Sequence, residues 1–391
     1  MRLQVRDFEP GERPHSSARA LPDTLHELFQ GMLDTGTRLV TEEFKGVTEA
    51  GSPETGLFSL DDQRVPSTGV DTAARLFLES LNADQRESAL FSIDSDVWRR
   101  WSNVHPYLMR HGAFLDELAQ TQKNLAMTLM RESLSPEGFK TARDVMRLNE
   151  SILEITGQGE EYGEWLYWLS ILGNPSDNQP WGWQIDGHHL IINYFVLGGQ
   201  IVATPTFMGS EPVAVDIGKY AGTRVFQSEE ETGLTLGMSF TPEQRVKATI
   251  AETMPGEVFT TAYRDNFEMR YEGIRYDELS VDQQNMVLAI AETYVGRVPK
   301  AHAKAKMAEI WAHLHRTYIA WIGGYNEDSI FYYRIHSPVV LIEFDHQSGI
   351  ALHHTEPSRN HIHTVIRTPN GNDYGKDLLR QHREQHHPSG A

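Results

Sequence analysis

Two short stretches of this chain carry residue types that hold metals or move protons. In the first, Gln184, Asp186, Gly187, His188 and His189 interrupt a run that otherwise reads as β-strand. In the second, Glu343 and Asp345 precede the triplet His361-Ile362-His363 and then Arg367. Alternation along a strand puts residues two apart on one face. His361 and His363 then share a face that Val365 and Arg367 continue, and Glu343 shares one with Asp345. Two imidazoles on one strand commonly supply two nitrogen ligands to a metal, with the others coming from another strand. The first stretch is the expected source. Alternation places Gln184, Asp186 and His188 on one face and His189 on the other, so one of the tandem histidines is expected at the site. The expected metal ligands are therefore His188 or His189 with His361 and His363. Glu343 is expected as a carboxylate ligand or general base, and Asp186 or Asp345 as the partner that fixes an imidazole tautomer. Arg367 is expected to balance Glu343 or Asp345, or to clamp a substrate carboxylate.

Histidines and carboxylates on otherwise apolar strands cost free energy when buried without partners, which favours a shared site over plain packing. With zinc, such a site lowers the pKa of a bound water to about 7 and makes hydroxide available. This predicts a metal-dependent enzyme acting on a small organic substrate, leaning to zinc-type hydrolysis because that needs no electron donor. Iron or copper on the same ligands would suit an oxygenase or oxidoreductase. A non-catalytic metal- or ligand-binding protein is the third reading. The chain has no GxGxxG, Walker A, HExxH or GxSxG motif. His302, His313 and His315 lie in a Lys-, Ala- and Glu-rich helical stretch and read as surface or satisfied groups.

The formal net charge of -19 over 391 residues argues against nucleic acid and against anionic membranes as partners. With no cysteine, disulfides, iron–sulfur clusters and thiol nucleophiles are excluded. No run approaches the length of a transmembrane helix. The first residues hold no apolar leader-like run, so a cytoplasmic location is the expectation. Composition sets no oligomeric state.

The elements that must position these residues follow from periodicity and punctuation. Residues 1–20 are expected to form a mobile tail and 21–156 a helical region, with Ser135-Pro136 capping one helix. Residues 157–391 are expected to be the α+β region that carries the site, fused to the helices as one unit. Within it, Gln184–Tyr194 and Gln200–Thr204 read as a hairpin turning at Gly198-Gly199. Thr241-Pro242 and Ser280 start helices, residues 253–279 are mainly loop, and Ala301–Ile322 reads as helix. Strands are expected at Ile330–Ile335, Val339–Asp345 and His361–Arg367, and a last helix at Gly375–Arg383. The fold class is α+β: a helical N-terminal half packed on a mixed or antiparallel sheet, with C-terminal helices. No internal repeat is visible in the sequence.

The blocks QIDGHHLIINY, TPTFMGSEP, VLIEFDHQSG, NHIHTVIRTPNGNDYG and DLLRQH, in that order, resemble the family known as domain of unknown function 3500, from about Trp165 to His382. The resemblance implies that Gly187, His188, His189, Pro205, Gly209, His361, His363, Asp373 and Tyr374 belong to the family pattern. It implies no activity. It also implies secretion for many relatives, against the cytoplasmic location expected from the first residues here.

Overall fold

The computed structural model describes residues 17–18, 27–60, 65, 67–104, 107–176, 178–349, 351–352 and 355–386. Most of the expected tail, His353, His354 and His387 lie outside the described residues. Among these residues there are ten α-helices and one mixed sheet of 13 strands, an α+β fold. No helix among them is long and apolar enough to cross a membrane.

The helix starts follow their capping chemistry. Ser135 Oγ accepts from Gly138 N ahead of the helix Pro136–Thr156. Thr241 with Gln244, and Ser280 with Gln283, form reciprocal capping boxes at the starts of Pro242–Ala248 and Val281–Val295. One expected helix differs. It ends at Ala312, and Tyr318–Gly323 is a strand. The aromatic and β-branched run Tyr318-Ile-Ala-Trp-Ile prefers a pleated surface to a helical one.

The strands are β1 Leu90–Phe91, β2 Ala113–Phe114, β3 Tyr167–Gly173, β4 Trp181–Gly187, β5 Leu190–Leu197, β6 Gln200–Val202 and β7 Thr206–Ser210 in the first half. The second half gives β8 Thr249–Ala251, β9 Ile274–Arg275, β10 Tyr318–Gly323, β11 Phe331–His336, β12 Leu341–Gln347 and β13 Ser358–Arg367. Across the sheet the order is β1-β3-β4-β5-β7-β13-β12-β11-β10-β8. From its centre outward this order is the same on both sides.

That symmetry exposes a structural repeat. From Thr68 and again from Gln227 the chain runs helix, helix, short strand, connecting segment, short strand, 3-10 turn, helix, helix, then the main strands, the second pass adding a 3-10 turn at Leu314–Arg316 before them. The outermost pairs, β1 with β3 and β8 with β10, are both parallel. The registers match as well. Ala113 faces Leu169 and Ile274 faces Ile319; Gln184 faces Asn193 and Arg334 faces Glu343. At the middle, Thr206 of β7 pairs with Ile366 of β13. The sequence kept a trace of this in Gly112-x-x-x-Asp116-Glu117-Leu118 and Gly273-x-x-x-Asp277-Glu278-Leu279, too sparse to reveal a repeat without the topology.

Every residue of β4, β5, β7, β11 and β12 is buried, because both sheet faces are covered. One face is apolar and lies under helices: Trp183 Nε1 donates to Ser133 Oγ, and the Tyr333 and Tyr294 hydroxyls meet at 3.0 Å. The other face holds the alternate residues Gln184, Asn193, Arg334, Glu343, Asp345, His361, His363 and Arg367. Two irregular segments, residues 97–103 and 257–265, cover it. Gln184 Nε2 donates to the Trp98 carbonyl in one half. In the other, Glu343 accepts from the backbone of Phe259 and Thr260. The buried polar face is the reason so many charged residues interrupt apolar strands.

Candidate metal centre

The stretch Gln184–Tyr194 is not one strand. β4 ends at Gly187, β5 begins at Leu190, and His188-His189 form the tight turn between them. His189 has φ 63°, so strand alternation does not govern where the two rings point. The rings stack with centroids 3.9 Å apart. His189 turns toward β13, while His188 Nδ1 lies 2.8 Å from Asn149 Oδ1 on the helix behind. Gly209, on β7 opposite His363, leaves the room this needs. A Cβ there would sit 2.7 Å from His363 Cδ2 and 3.1 Å from His189 Cδ2.

His189, His361 and His363 converge, and all three are buried. His189 Nε2 is 3.1 Å from His361 Nε2, which is 3.0 Å from His363 Nε2. Their outer nitrogens are held from behind. His361 Nδ1 meets the Ser348 carbonyl at 3.0 Å. A carbonyl can only accept, so that nitrogen carries the proton. His363 Nδ1 meets Glu257 Oε1 at 2.8 Å. Glu257 also accepts from Val258 N and Asn103 Nδ2, as a carboxylate would. With both Nδ1 atoms held from outside, the Nε2 atoms of His361 and His363 face each other across 3.0 Å. Neutral imidazoles in that tautomer would present two lone pairs there, which cannot hydrogen-bond, and a cation between them would remove the repulsion. At metal–nitrogen bonds of about 2.0–2.1 Å, neighbouring ligands stand about 2.9 Å apart at right angles and about 3.4 Å apart in a tetrahedron. The two separations at His361 Nε2 fall between these values, and the ligand atoms of all three rings lie within 4.8 Å of one another, as one coordination sphere requires. A carboxylate or carbonyl behind each of two imidazoles is the usual outer support of a metal site.

The other residues singled out from sequence sit elsewhere. Glu343 lies on the same polar face but opposite Val365, and its oxygens accept from Phe259 N, Thr260 N and the Tyr332 hydroxyl. It anchors the covering segment, as Gln184 does in the first half through the Trp98 carbonyl. Asp345 lies directly opposite His363 in the register, with Gln347 Nε2 donating to it at 2.5 Å. Asp186 faces Ser102 N at 3.5 Å, and burial pushes its carboxyl well above the usual range. Arg367 is wholly buried. It donates to Asp265, Asp373 and the Thr260 carbonyl, and both carboxylates keep it charged against the opposing effect of burial. It pairs with neither Glu343 nor Asp345 in those contacts.

Sequence reasoning missed Glu257, Asn103 and Ser348. Glu257 sits in a segment without periodicity, and Ser348 contributes through its backbone, so neither carries a sequence signal. Glu211 was also missed; its Oε2 lies 3.8 Å from His361 Nδ1. A cavity of about 90 Å³ opens on the opposite, helix-covered face beside Ile192, Met208 and Ile366. None of the three histidines lines it, so it is separate from the histidine centre.

No curated protein and no solved structure matches this chain. The family model described as protein of unknown function DUF3500 matches residues 63–376. Several residues that the resemblance assigned to the family pattern gather on this polar face: His189, Gly209, His361 and His363 at the histidine centre, and Asp373 and Tyr374 around Arg367 and Asp265. The chain belongs to the DUF3500 family.

Proposed function

We propose that His189, His361 and His363 hold a divalent transition metal, and that the protein is a metal-dependent enzyme acting on a small organic substrate. The observation that carries this is the convergence of three buried imidazoles, with His361 Nε2 3.1 Å from His189 Nε2 and 3.0 Å from His363 Nε2. An all-nitrogen set of three imidazoles with an open position is the ligand type of hydrolytic zinc, and zinc-type hydrolysis is the preferred reading. Bound there, the metal supplies a Lewis acid and a water acidified to about pKa 7. Glu257 holds His363 in the tautomer that presents Nε2, and the Ser348 carbonyl does the same for His361. The covering segment 257–265 keeps bulk water off the polar face, while the Glu257 side chain stays 28% exposed at its margin.

A second reading rests on the ligand spacing. Separations of 3.0 and 3.1 Å are nearer the right-angle value of about 2.9 Å than the tetrahedral one. A six-coordinate metal with neighbouring nitrogens at right angles would suit iron and oxygen chemistry. Elemental analysis of the purified protein separates the two. One zinc per chain supports the hydrolase, and one iron or copper shifts the function to oxygen chemistry. Failure to take up any of the three metals, with His361→Ala and wild type alike, would sink both.

A further inference from the structure

Which molecules can approach the histidine centre is set by the charge around it. Two carboxylates flank the triad, Glu257 on His363 and Glu211 with Oε2 3.8 Å from His361 Nδ1, and a third, the buried Asp345, lies opposite His363 in the register. The guanidinium groups of the same polar face are committed to other acids. Arg367 pairs with Asp265 and Asp373, Arg99 with Asp265, Arg334 with Glu272 and Arg359 with Glu230. Among the described residues, none of these four bonds to Glu257. The two carboxylates offset the double charge of a divalent ion, so the loaded centre has no surplus positive field to draw an anion in.

Glu257 also has acceptor capacity to spare. Its Oε1 takes His363 Nδ1 and Val258 N. Its Oε2 takes Asn103 Nδ2 at 3.3 Å, a long bond for a carboxylate with several lone-pair sites. Buried neighbours fix its position while 28% of the side chain remains open. A molecule lying across the open side of the triad would meet this oxygen.

We infer that Glu257 is a specificity-determining residue that selects neutral or cationic substrates bearing an N–H or O–H donor (amines, amides, alcohols) and disfavours carboxylates and phosphates. The inference rests on the metal reading above. Its test uses cobalt(II)-loaded full-length protein, with acetate and imidazole as probes read by the visible spectrum of the metal. Imidazole is neutral and carries a donor; acetate is an anion without one. The ratio of the two affinities cancels any general change at the metal. In Glu257→Gln the preference for imidazole over acetate should fall at least tenfold, as expected for removing one full charge within a few ångströms of the ligand. Glu257→Asp, which keeps the charge, should hold the wild-type ratio. Equal ratios in wild type and Glu257→Gln would overturn the inference, and so would a wild type that prefers acetate. If the wild type takes up no cobalt, the metal reading falls and this inference with it; cobalt uptake with an unchanged ratio overturns the inference alone.

Discussion

Metal binding should stabilise the folded chain, and the size of that effect can be worked out from the site. An ion that binds the folded state alone adds about 4.1 kcal/mol at a free concentration a thousandfold above its Kd. Unfolding entropy is about 2.1 cal/mol/K per residue, so over 391 residues that free energy raises the melting temperature by about 5 °C. His361→Ala and His363→Ala each leave two ligands and should reduce the zinc-induced shift to below about 1 °C at the same zinc concentration. His313→Ala is the control. That ring meets the Glu309 carbonyl on a helix end away from the triad, and its variant should keep the full shift. The assay is a calorimetric melt of apo and zinc-loaded protein, with metal content measured on the same samples. Apo protein measured alongside removes the cost of the lost ring itself, which the substitution also brings. Equal shifts and equal zinc content in all three variants would refute the ligand assignment and the lone-pair argument beneath it.

Gly209→Ala places a methyl 2.7 Å from His363 Cδ2 and should weaken zinc binding by about 10–100-fold, the scale of an outer-support defect; unchanged affinity in a competition titration would contradict the packing argument. Glu343→Gln should destabilise the fold by about 2–3 kcal/mol in urea, because a buried charged acceptor of several hydrogen bonds is weakened. Its zinc content should stay at the wild-type level, and loss of zinc would make Glu343 part of the metal centre after all. Acid should also destabilise the metal-free protein. Burial lowers His111 to about 4, and burial with the Arg334 charge lowers His336 to about 3. Both fold as neutral rings, so their stability contribution is complete above the unfolded pKa of about 6.5 and is lost as pH falls toward the folded values. The slope is about 1.4 kcal/mol per pH unit for each ring. Urea midpoints at pH 7 and 5.5 with chelator present should show this fall, and the double variant His111→Asn, His336→Asn should flatten it; an equal slope in the variant would refute the assignment.

The α+β class and the pairing of His361 with His363 were legible because they rest on local pattern, and local pattern survives folding. Capping at Ser135, Thr241 and Ser280 was legible for the same reason. The choice between His188 and His189 was not. A continuous apolar run conceals a turn when the turn residues are themselves buried histidines, and the left-handed backbone of His189 removes the parity on which alternation depends. Glu343 misled for an instructive reason. Its isolation on an apolar strand did signal a buried polar contact, but that contact is with the backbone of a covering segment 83 and 84 residues away. Sequence announces that a buried charge has a partner; topology decides which. Glu257 shows the converse, since a residue in an irregular segment gains its role solely from what the segment lies against.

The repeat explains why such a centre occurs once among the described residues. By the symmetry of the sheet, β13 corresponds to β7, and the turn between β11 and β12 to the His188-His189 turn. That second turn carries Ser337-Pro338-Val339-Val340, with no histidine. The strands differ as well: β7 has five residues and β13 has ten. In the first half Pro205, which has no N–H to donate, stands immediately before β7, and residues 200–202 pair with β5 instead. In the second half nothing interrupts the strand, so β13 continues past the Thr206–Ile366 pair alongside Gly209 and Ser210. His361 and His363 lie on that extra length, and it brings them to His189 of the other half. Neither half holds three ligands. The site is a product of their junction, which is why two stretches more than 170 residues apart in sequence (His189 and His361 are 172 apart) were needed to see it.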